Sequence, residues 1–451
     1  MKKLLIASLL TLIAGVAAAQ DFRTGYFLDN YVYSYRINPG ASLDGKPCTF
    51  IGVGVSNLTL NANSNLSASS FLNKNMDMLF FDSSVPVEEV LANFDPKNSM
   101  QFNANVNLLT FGRQTDHNRF SVELNVRSDS YFNLPYEAIS STKEALAQMA
   151  DGFENGSFVF SDLQANANLY TEVAFGYTQK LGDALTVGGR LKGLVGLADV
   201  SANLSTDVKL NGMHTSDELV SGTMQGDVAI ASPVDLDFER TPNGQYDLYL
   251  TLTDYEALIG KLLTDNHRKV AGWGAAIDLG VNFEPFEGLN LNASLLDVGF
   301  IRWNSTIKGK FSFDKTIKTG SGNENIPSEI FALEDTGETG YVSALNYTAH
   351  AGATYRLPFY DQLSVGVIGT VQKHYKELRL GANVSPLSFL SIAASGALTS
   401  FGPDFGLALN LRLPILNFYI GADSLVLPGT REAMLGRQLN TVVTTGLVIT
   451  I

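Results

Sequence analysis

The sequence predicts an all-β protein, a transmembrane antiparallel β-barrel of about fourteen strands. Three observations support this fold class: an export leader, strands with one apolar and one polar face, and connections that alternate between long and short. Alternation with a period of two is typical of an extended strand whose two faces meet different surroundings. Closure into a barrel also leaves none of these strands with an exposed edge.

The clearest alternation lies between Gln101 and Arg127. Two runs joined by a polar turn indicate an antiparallel hairpin. Alone, this hairpin fits either a soluble sandwich with its apolar face inward or a membrane barrel with its apolar face outward. The apolar positions are Phe102, Ala104, Val106, Leu108, Phe120, Val122, Leu124 and Val126.

The first nineteen residues predict a signal peptide that is cleaved near Ala19. Lys2 and Lys3 precede the apolar stretch Leu4–Val16, and small residues follow it. An uncleaved membrane anchor is disfavoured because this stretch is short for a membrane span. No later segment reaches about eighteen continuous apolar residues, which argues against a helical membrane protein but not against a barrel.

Charge and cysteine content exclude several classes of protein. The chain has 31 Lys and Arg against 45 Asp and Glu, a net charge of −14, so no nucleic-acid partner is expected. One cysteine, Cys48, allows neither an internal disulfide nor a cysteine metal cluster. There is no Gly-x-Ser-x-Gly, P-loop or His-Glu-x-x-His motif, and a structural hydrogen bond is the expected role of His350. We therefore expect no catalytic residues, no cofactor and no metal.

The predicted strands alternate with connections of unequal length. Long connections follow the first, third, fifth and seventh strands, the longest being Asp199–Lys269, and short turns follow the strands between them. Helices are expected at Val87–Ala92, Leu134–Asp151 and Asp254–Leu263. The fourteen strands are Thr49–Leu60, two within Gln101–Arg127, two within Leu169–Leu191, two within Ala275–Leu295, and Tyr341–Tyr355, Leu363–Val371, Leu378–Val384, Leu390–Gly396, Phe405–Leu413, Ile415–Ala422 and Thr441–Ile451.

Short turns at one end and long loops at the other are typical of a bacterial outer-membrane barrel, and strands of about 9–11 residues suit a tilted span. The apolar faces should then contact outer-membrane lipid, while the polar faces line the lumen. Charges of both signs on those faces predict pairing across a lumen that is at least partly plugged. The predicted lumen-lining residues are Asn103, Asn105, Glu123, Arg127, Glu172, Arg190, Asp278, Arg379 and Arg412.

The mature N-terminus carries many aromatic residues for a segment without alternation, so we expect it to pack rather than remain disordered. It ends in the turn signal Asn38-Pro39-Gly40. The expected division of the chain is a signal peptide at 1–19, an N-terminal hatch or plug segment at 20–47, and an outer-membrane barrel at 48–451.

Asn38-Pro39-Gly40-Ala41 together with fourteen strands resembles the long-chain fatty-acid transporter type of outer-membrane protein. The resemblance implies a periplasmic-side hatch with an Asn-Pro-Ala motif, here with Gly40 in place of Ala, and extracellular helices that collect hydrophobic ligand. The chain is also similar to an uncharacterised Bacteroidetes-type barrel family, which implies no established activity. The matching pieces are Phe27–Asn30 leading to Asn38-Pro39, Ala276–Gly280 and Asp297–Trp303.

Two functions follow as hypotheses. The first is passive uptake of a small hydrophobic molecule through a hatch-gated barrel; the second is a non-transporting scaffold that holds a partner envelope protein. For the first, apolar loop residues and an amphipathic helix would form a capture surface, although the two could instead pack on each other as a loop core. The candidate capture residues are Met78, Phe80, Phe81, Ile139, Leu146 and Met149.

Overall fold

The computed structural model describes residues 22–43, 47–71, 80, 82, 85–150, 155–211, 218–232, 246–247, 270–304, 307–318, 332–335, 340–423 and 438–451. These residues form nineteen strands in one sheet with antiparallel pairings, and fourteen of the strands close into a barrel. The predicted fold class and the predicted number of wall strands are both confirmed.

The strands, in chain order, are β1 (Cys48–Ser67), β2 (Lys97–Gln114), β3 (Asn118–Pro135), β4 (Asn155–Leu181), β5 (Leu185–Asn211), β6 (Glu218–Ala231), β7 (Tyr246–Asp247), β8 (Gly272–Phe286), β9 (Leu289–Asn304), β10 (Ile307–Lys318), β11 (Ala332–Asp335), β12 (Gly340–Ala344), β13 (Thr348–Arg356), β14 (Leu363–Gln372), β15 (Lys376–Leu387), β16 (Leu390–Thr399), β17 (Gly402–Arg412), β18 (Leu416–Asp423) and β19 (Gln438–Thr450). The helices are α1 (Ser34–Ile37), α2 (Val87–Leu91) and α3 (Tyr136–Ala150), and 3-10 turns occupy Arg23–Phe27 and Ala68–Ser70.

The barrel closes between its first and last strands. β1 pairs with β2 on one side and with β19 on the other. At the end with the short turns, Thr49 and Ile451 exchange backbone hydrogen bonds of 2.6 and 2.8 Å. Closure gives every wall strand two neighbours, so the wall has no free edge that would expose unpaired backbone groups to lipid.

The longest predicted connection differs from its predicted form. We expected Asp199–Lys269 to be irregular, but β5 continues to Asn211. β5 pairs with β8 up to Gly196 and with β6 from Asp199 onward. β10, β11 and β7 extend this sheet further. The helix expected at Asp254–Leu263 lies outside the described residues. The predictions at α2 and α3 are confirmed to within two residues.

The predicted strand Tyr341–Tyr355 is two strands. β9 pairs with β13 up to Leu296 and with β12 from Phe300 onward. Between these positions Asp297 adopts a left-handed backbone with φ 57°. This bend divides the partner of β9 into two pieces, because a left-handed residue interrupts a regular ladder.

The outer and inner faces of the wall have opposite polarity. Large apolar side chains point outward and are exposed, whereas polar and charged side chains point inward and are buried. A protein folded in water would show the reverse, so the outer face is suited to lipid. Representative outward residues are Phe175, Leu191, Leu279, Leu380, Phe405 and Leu407.

Within the described residues, no helix is both long enough and apolar enough to cross a membrane.

One place in the wall changes face. In β1, Gly54 has φ 77°, and the pairing with β19 shifts register between Ile51 and Asn57. Beside it, β2 shifts register against β3 between Asn107 and Leu109. Each shift moves the inward face from one residue parity to the other, so the single alternation predicted for Thr49–Leu60 does not hold along the whole strand.

The polarity of the wall gives a direct test at β2. Val106 pairs with Val126, whereas its neighbour Asn105 lines an internal cavity. We expect Val106→Lys to insert less well into lipid vesicles, because a charge facing lipid at the bilayer midplane costs about 2–4 kcal/mol in the free energy of insertion. Asn105→Lys is the matched control and should insert nearly as well as the wild type. Equal insertion of the two variants would contradict the assignment of faces.

Candidate functional site

A segment of the mature N-terminus lies inside the barrel. We call residues Phe22–Leu43 the lumen segment; it contains one 3-10 turn and α1. Its apolar side chains form one buried cluster with inward residues of the wall, including Phe50, Ile368 and Tyr419. The lumen is therefore occupied by the chain itself. The buried members from the segment are Phe22, Phe27, Leu28, Tyr31, Tyr33, Tyr35 and Ile37.

Glycines in the wall make room for the rings of the lumen segment. A Cβ atom added to Gly381 would overlap the ring of Phe27, and one added to Gly421 would overlap the ring of Phe22. The lumen is too narrow at these levels for a side chain on both partners. The ring positions thus depend on the absence of side chains at specific wall residues.

Asn38, Pro39 and Gly40 form a turn against the wall. The Gly40 N–H donates to Asn38 Oδ1 at 2.9 Å, and Asn38 Nδ2 donates to the Val281 carbonyl at 3.0 Å. A Cβ atom on residue 40 would meet the backbone of Gly280. This close approach leaves no room for a side chain at residue 40.

Buried charges tie the lumen segment to the wall. Glu123 of β3 accepts hydrogen bonds from Arg36 Nε at 2.8 Å and from the Tyr35 hydroxyl at 2.8 Å. Its second oxygen pairs with Arg190 of β5. A carboxylate shared between the segment and two wall strands fixes the segment at one height in the lumen.

The same network continues across the wall. Arg127 makes a bidentate contact with Asp297 at 2.8 and 2.9 Å and a further ion pair with Glu172 at 2.8 Å. Lys192 contacts Asp278 at 2.7 Å and Asp297 at 2.5 Å. The Glu123 cluster, as we call it, joins four cations to four carboxylates. Its members are Arg36, Arg127, Arg190, Lys192, Glu123, Glu172, Asp278 and Asp297.

A second group of buried charges lies farther along the lumen segment. Arg379 of β15 contacts Glu377 at 2.6 Å, Asp404 at 2.5 Å and Asp423 at 3.2 Å. Arg23 of the lumen segment contacts Glu377 at 2.6 Å. We call these five residues the Arg379 cluster.

The structure thus places most of the predicted lumen-lining residues in these two clusters. Arg412 lies apart at the short-turn end, where its Nη1 donates to the Asp29 carbonyl at 2.6 Å. Asn103 and Asn105 lie on β2 near the lumen segment, and the Asn103 amide is buried without a hydrogen-bond partner. Sequence reasoning did not include Asp297, although a lone aspartate in the apolar run Leu295–Phe300 was a signal for it.

One tyrosine of the lumen segment has a strongly altered acidity. Burial raises the pKa of Tyr26 to about 12. Its hydroxyl oxygen accepts a hydrogen bond of 2.5 Å from Asn292 Nδ2. Tyr26 therefore stays neutral at physiological pH and acts as a hydrogen-bonding group of the segment, not as an anion.

Two cavities flank the lumen segment. A vestibule of about 1230 Å³ opens at the short-turn end and is lined by the segment and by residues near the barrel termini. On the other side, a small internal cavity of about 30 Å³ has a polar lining in which Leu296 is the one aliphatic residue. Its lining residues are Arg23, Arg36, Asn105, Arg127, Asp129, Glu172, Arg190, Lys192, Leu296, Asp297, Asn346, Thr348, His350 and Gln372.

Apolar loop residues gather at the end with long connections. Phe80 and Ile139 are both buried there, each 7% exposed, so for these two residues the loops pack on each other. Met78 and Phe81 lie outside the described residues, as do the side chains of Leu146 and Met149 on α3. The loop cluster is defined by Leu66, Phe80, Val90, Phe94 and Ile139, with Phe71, Val85, Leu91, Met100, Leu134 and Tyr136 half-buried against it.

The longest interruption of the described wall lies directly below the loop cluster. β1 and β2 are paired at Val53–Leu109 and again at Ser64–Met100, with no ladder partners between. We call this stretch, residues 54–63 of β1 and 101–108 of β2, the seam. On its other side β1 is paired with β19 from Asn57 to Asn63, so over these residues of β1 the interruption faces β2 alone.

A closed barrel with a lipid-facing exterior and a charge-filled lumen defines the class of protein: an outer-membrane β-barrel. Residues 14–423 match the model of the family described as "Family of unknown function (DUF5723)". The chain belongs to that family.

Solved structures with similar folds are channels at very low sequence identity. A deltaS2S3 mutant of the monoaromatic hydrocarbon channel TodX has 9% identity and a TM-score of 0.44, with 97% of each chain covered. The Ralstonia pickettii toluene transporter TbuX has 10% identity and a TM-score of 0.42, with 92% of each chain covered. The monoaromatic hydrocarbon channel CymD has 9% identity and a TM-score of 0.42, covering 94% of this chain and 93% of its own. No curated protein sequence matches this chain.

Removing the shared carboxylate should weaken the fold. In Glu123→Gln, Arg36 and Arg190 lose a buried negative partner, and a broken buried ion pair costs about 3–5 kcal/mol. We expect a loss of that size in the free energy of unfolding, measured by urea titration of the protein in lipid vesicles. The control is Glu287→Gln at an exposed turn, which should change stability by less than about 0.5 kcal/mol. Similar values for the two variants would show that Glu123 does not anchor the segment.

A side chain added at a wall glycine that faces a ring should displace the lumen segment without removing any charge. We expect Gly381→Leu to push Phe27 out of its position, because the new side chain would occupy the space of the ring. Ion conductance across planar bilayers should then rise above the wild-type level. Gly369→Leu, on the same wall, should leave conductance unchanged, because an added Cβ atom there would meet only the Ala351 carbonyl oxygen at an ordinary contact distance of 3.7 Å. A wild-type trace from Gly381→Leu would mean that Phe27 does not help to block the lumen.

Proposed function

We propose that this barrel mediates passive uptake of a small hydrophobic molecule. The molecule is captured at the loop cluster and leaves sideways through the seam into the membrane. The observation that carries this proposal is the position of the loop cluster: Leu66 and Met100 belong to it or pack against it, and both lie at the upper limit of the seam.

The straight path along the barrel axis is unsuited to a hydrophobic molecule. Below the loops it meets a cavity whose lining is almost entirely charged or polar. Beyond the cavity lies the lumen segment, held by buried ion pairs from Arg23 and Arg36. An apolar solute entering this region would have to separate polar groups from their partners without replacing them.

The seam offers a shorter path. Where two strands lack a ladder, separating them breaks fewer backbone hydrogen bonds than at a regular pair of strands, so widening the wall there costs less. The outward residues along the seam are all apolar: Leu58, Leu60, Ala62, Phe102, Ala104 and Val106. A solute that reaches this level from the loops meets lipid after crossing one layer of wall.

The lumen segment acts as the hatch in this proposal. Its turn at Asn38–Gly40 sits against β8, and its ion pairs hold it in the closed arrangement. The outer membrane then remains sealed to polar solutes while hydrophobic ones pass at the wall. This division of roles is supported by the polarity of the lumen and by the apolar cluster above the seam.

A second candidate function is a scaffold for a partner envelope protein. The observation that favours it is an extension of the sheet beyond the barrel: β6 pairs with the far part of β5, and β10 and β11 add further strands. A protein of this kind would co-purify with one partner at a fixed stoichiometry and would show no solute uptake.

Locking the seam tests the uptake proposal. Continuing the register from the pair Ser64–Met100 places Leu60 opposite Ala104. In a Cys48→Ser background, we expect the Leu60→Cys/Ala104→Cys pair to form a disulfide under oxidation that halts uptake of toluene into cells, because the strands can no longer part. Reduction should restore uptake.

The matched control places the same bond where the ladder is intact. Ala382 and Ala394 are paired on β15 and β16, remote from the seam. The Ala382→Cys/Ala394→Cys variant should take up toluene equally well when oxidised and reduced. Undiminished uptake by the oxidised seam variant would exclude the seam as the exit. No uptake by any variant or by the wild type would favour the scaffold.

A further inference from the structure

The inner face of the seam is uncharged. Residues 54–63 and 101–108, which form the seam, include no acidic or basic side chain. The neighbouring strands differ, because Glu123 and Arg127 of β3 and Glu172 of β4 point into the lumen as charged groups. A molecule that enters the seam from the lumen therefore meets hydrogen-bonding groups but no ion-pair partner on either seam strand. The inward residues of the seam are Asn57, Thr59, Asn61, Asn63, Gln101, Asn103, Asn105 and Asn107.

Toward the short turns, the polar groups of the seam bond within the protein. Asn107 Nδ2 donates to Asn125 Oδ1 at 2.7 Å, and Asn107 Oδ1 accepts from the Thr110 hydroxyl at 2.6 Å. The hydroxyls of Thr59 and Thr444 share a hydrogen bond of 2.9 Å. Because these groups already have partners, this part of the inner face offers little to a solute.

Closer to the long loops, β2 carries polar atoms that have no partner. Gln101 and Asn103 are 2% and 1% exposed, yet Gln101 Oε1 and both amide atoms of Asn103 lack a hydrogen bond. Asn105 Oδ1 lacks one as well. The three amides lie on one face of one strand, at the level where β2 has no ladder partner on β1. Buried polar groups in folded proteins are almost always bonded, so three neighbouring exceptions indicate a partner from outside the chain.

The same amides are fixed on their other side by β3. The ladder between β2 and β3 is regular here, with Asn103 opposite Asp129 and Asn105 opposite Arg127. Both charges are engaged elsewhere: Asp129 accepts a hydrogen bond of 2.9 Å from the Tyr170 hydroxyl, and Arg127 belongs to the Glu123 cluster. The three amides thus present three acceptor oxygens and one donor nitrogen beside the gap that faces β1.

We propose that Gln101, Asn103 and Asn105 bind an uncharged hydroxyl group of the transported hydrophobic molecule. This inference rests on the proposed uptake through the seam and names the class of its substrate. The hydroxyl O–H donates to one of the amide oxygens, and the hydroxyl oxygen accepts from Asn103 Nδ2. A hydroxyl suits this set of groups because it donates and accepts at the same atom.

The outer face of the seam selects against charged solutes. A carboxylate or an ammonium that passed Leu58, Leu60 and Phe102 would lose its hydration without gaining a counter-charge. A hydroxyl loses far less, and its hydrocarbon body lies among the same apolar side chains. A pure hydrocarbon also passes, but it leaves the three amides unbonded and is held more weakly.

The probes p-cresol and toluene form a matched pair, since they differ by one hydroxyl group. In cells that express the full-length protein, with uptake by cells lacking it subtracted, we expect p-cresol to reach half-maximal uptake at a concentration about tenfold below that of toluene. Asn103→Leu removes one donor and one acceptor at nearly constant volume. It should abolish this preference and leave toluene uptake unchanged. The anion p-methylbenzoate should not be taken up by either protein.

Asn417→Leu is the matched control. Asn417 is a buried, inward asparagine of β18 whose Oδ1 also lacks a partner, but it lies outside the seam. This variant should keep the wild-type preference for p-cresol. Gln101→Met removes one acceptor at constant side-chain length and should reduce the preference, and it carries the test if Asn103→Leu does not assemble.

The disulfide across the seam separates a failure of this inference from a failure of the uptake proposal. The oxidised Leu60→Cys/Ala104→Cys variant should stop uptake of both probes. If it does, but Asn103→Leu keeps the wild-type preference, the amides bind only water and the hydroxyl site is wrong. Equal half-maximal concentrations for the two probes in the wild type, or uptake of p-methylbenzoate, also overturn the site. Undiminished uptake of both probes by the oxidised variant overturns the seam exit and the hydroxyl site with it.

Discussion

The structure depends on the requirement that a membrane-spanning sheet satisfy its backbone hydrogen bonds internally. This chain meets the requirement by closing fourteen strands, with β1 joined to β19 near the barrel termini. Closure then creates an interior, and the wall's own backbone pairing does not determine which side chains fill that interior. Wherever the wall faces lipid, its partner face carries polar side chains that cannot reach bulk water, so they must find partners across the lumen.

The lumen segment supplies many of those partners. Its arginines enter two carboxylate clusters on the wall, and its aromatic rings occupy positions opposite glycines. Ring and glycine form a pair in which bulk on one side demands its absence on the other. The segment is thus a second, internal core that shares its residues with the barrel. In the function that we propose, this filled interior maintains the seal and the hydrophobic molecule passes through a different part of the wall.

The seam and the loop cluster lie at that different part. The wall is regular on most sides, and its longest described interruption occurs under the apolar loops between β1 and β2. A bulge in β1 and a register shift in β2 lie at its lower end, joined by a contact between Ser56 and Asn107. Such irregularities carry a cost in lipid, since they leave backbone groups less well paired. The uptake route that we propose rests on their position beneath a hydrophobic cluster.

Local sequence patterns determined the fold of this protein. Period-two alternation, an export leader and sorted loop lengths predicted a barrel of fourteen strands, because the side of a strand and the length of a turn are local properties. The polar alternation on β3, β4 and β5 also predicted Glu123, Arg127, Glu172 and Arg190 as inward residues. The bulge at Gly54 and the left-handed Asp297 escaped prediction, because a single residue out of register resembles ordinary variation in a sequence.

Tertiary structure alone decided which charges meet. Glu123 and Arg190 lie 67 positions apart, and Arg23 and Glu377 lie 354 apart, so no local pattern records their contact. The same holds for the rings that face Gly381 and Gly421, and for the position of Leu66 and Met100 above the seam. Local sequence patterns specify the strands of the wall. The contacts that fill the lumen form only when the barrel closes, because closure brings residues that are distant in sequence to face one enclosed space.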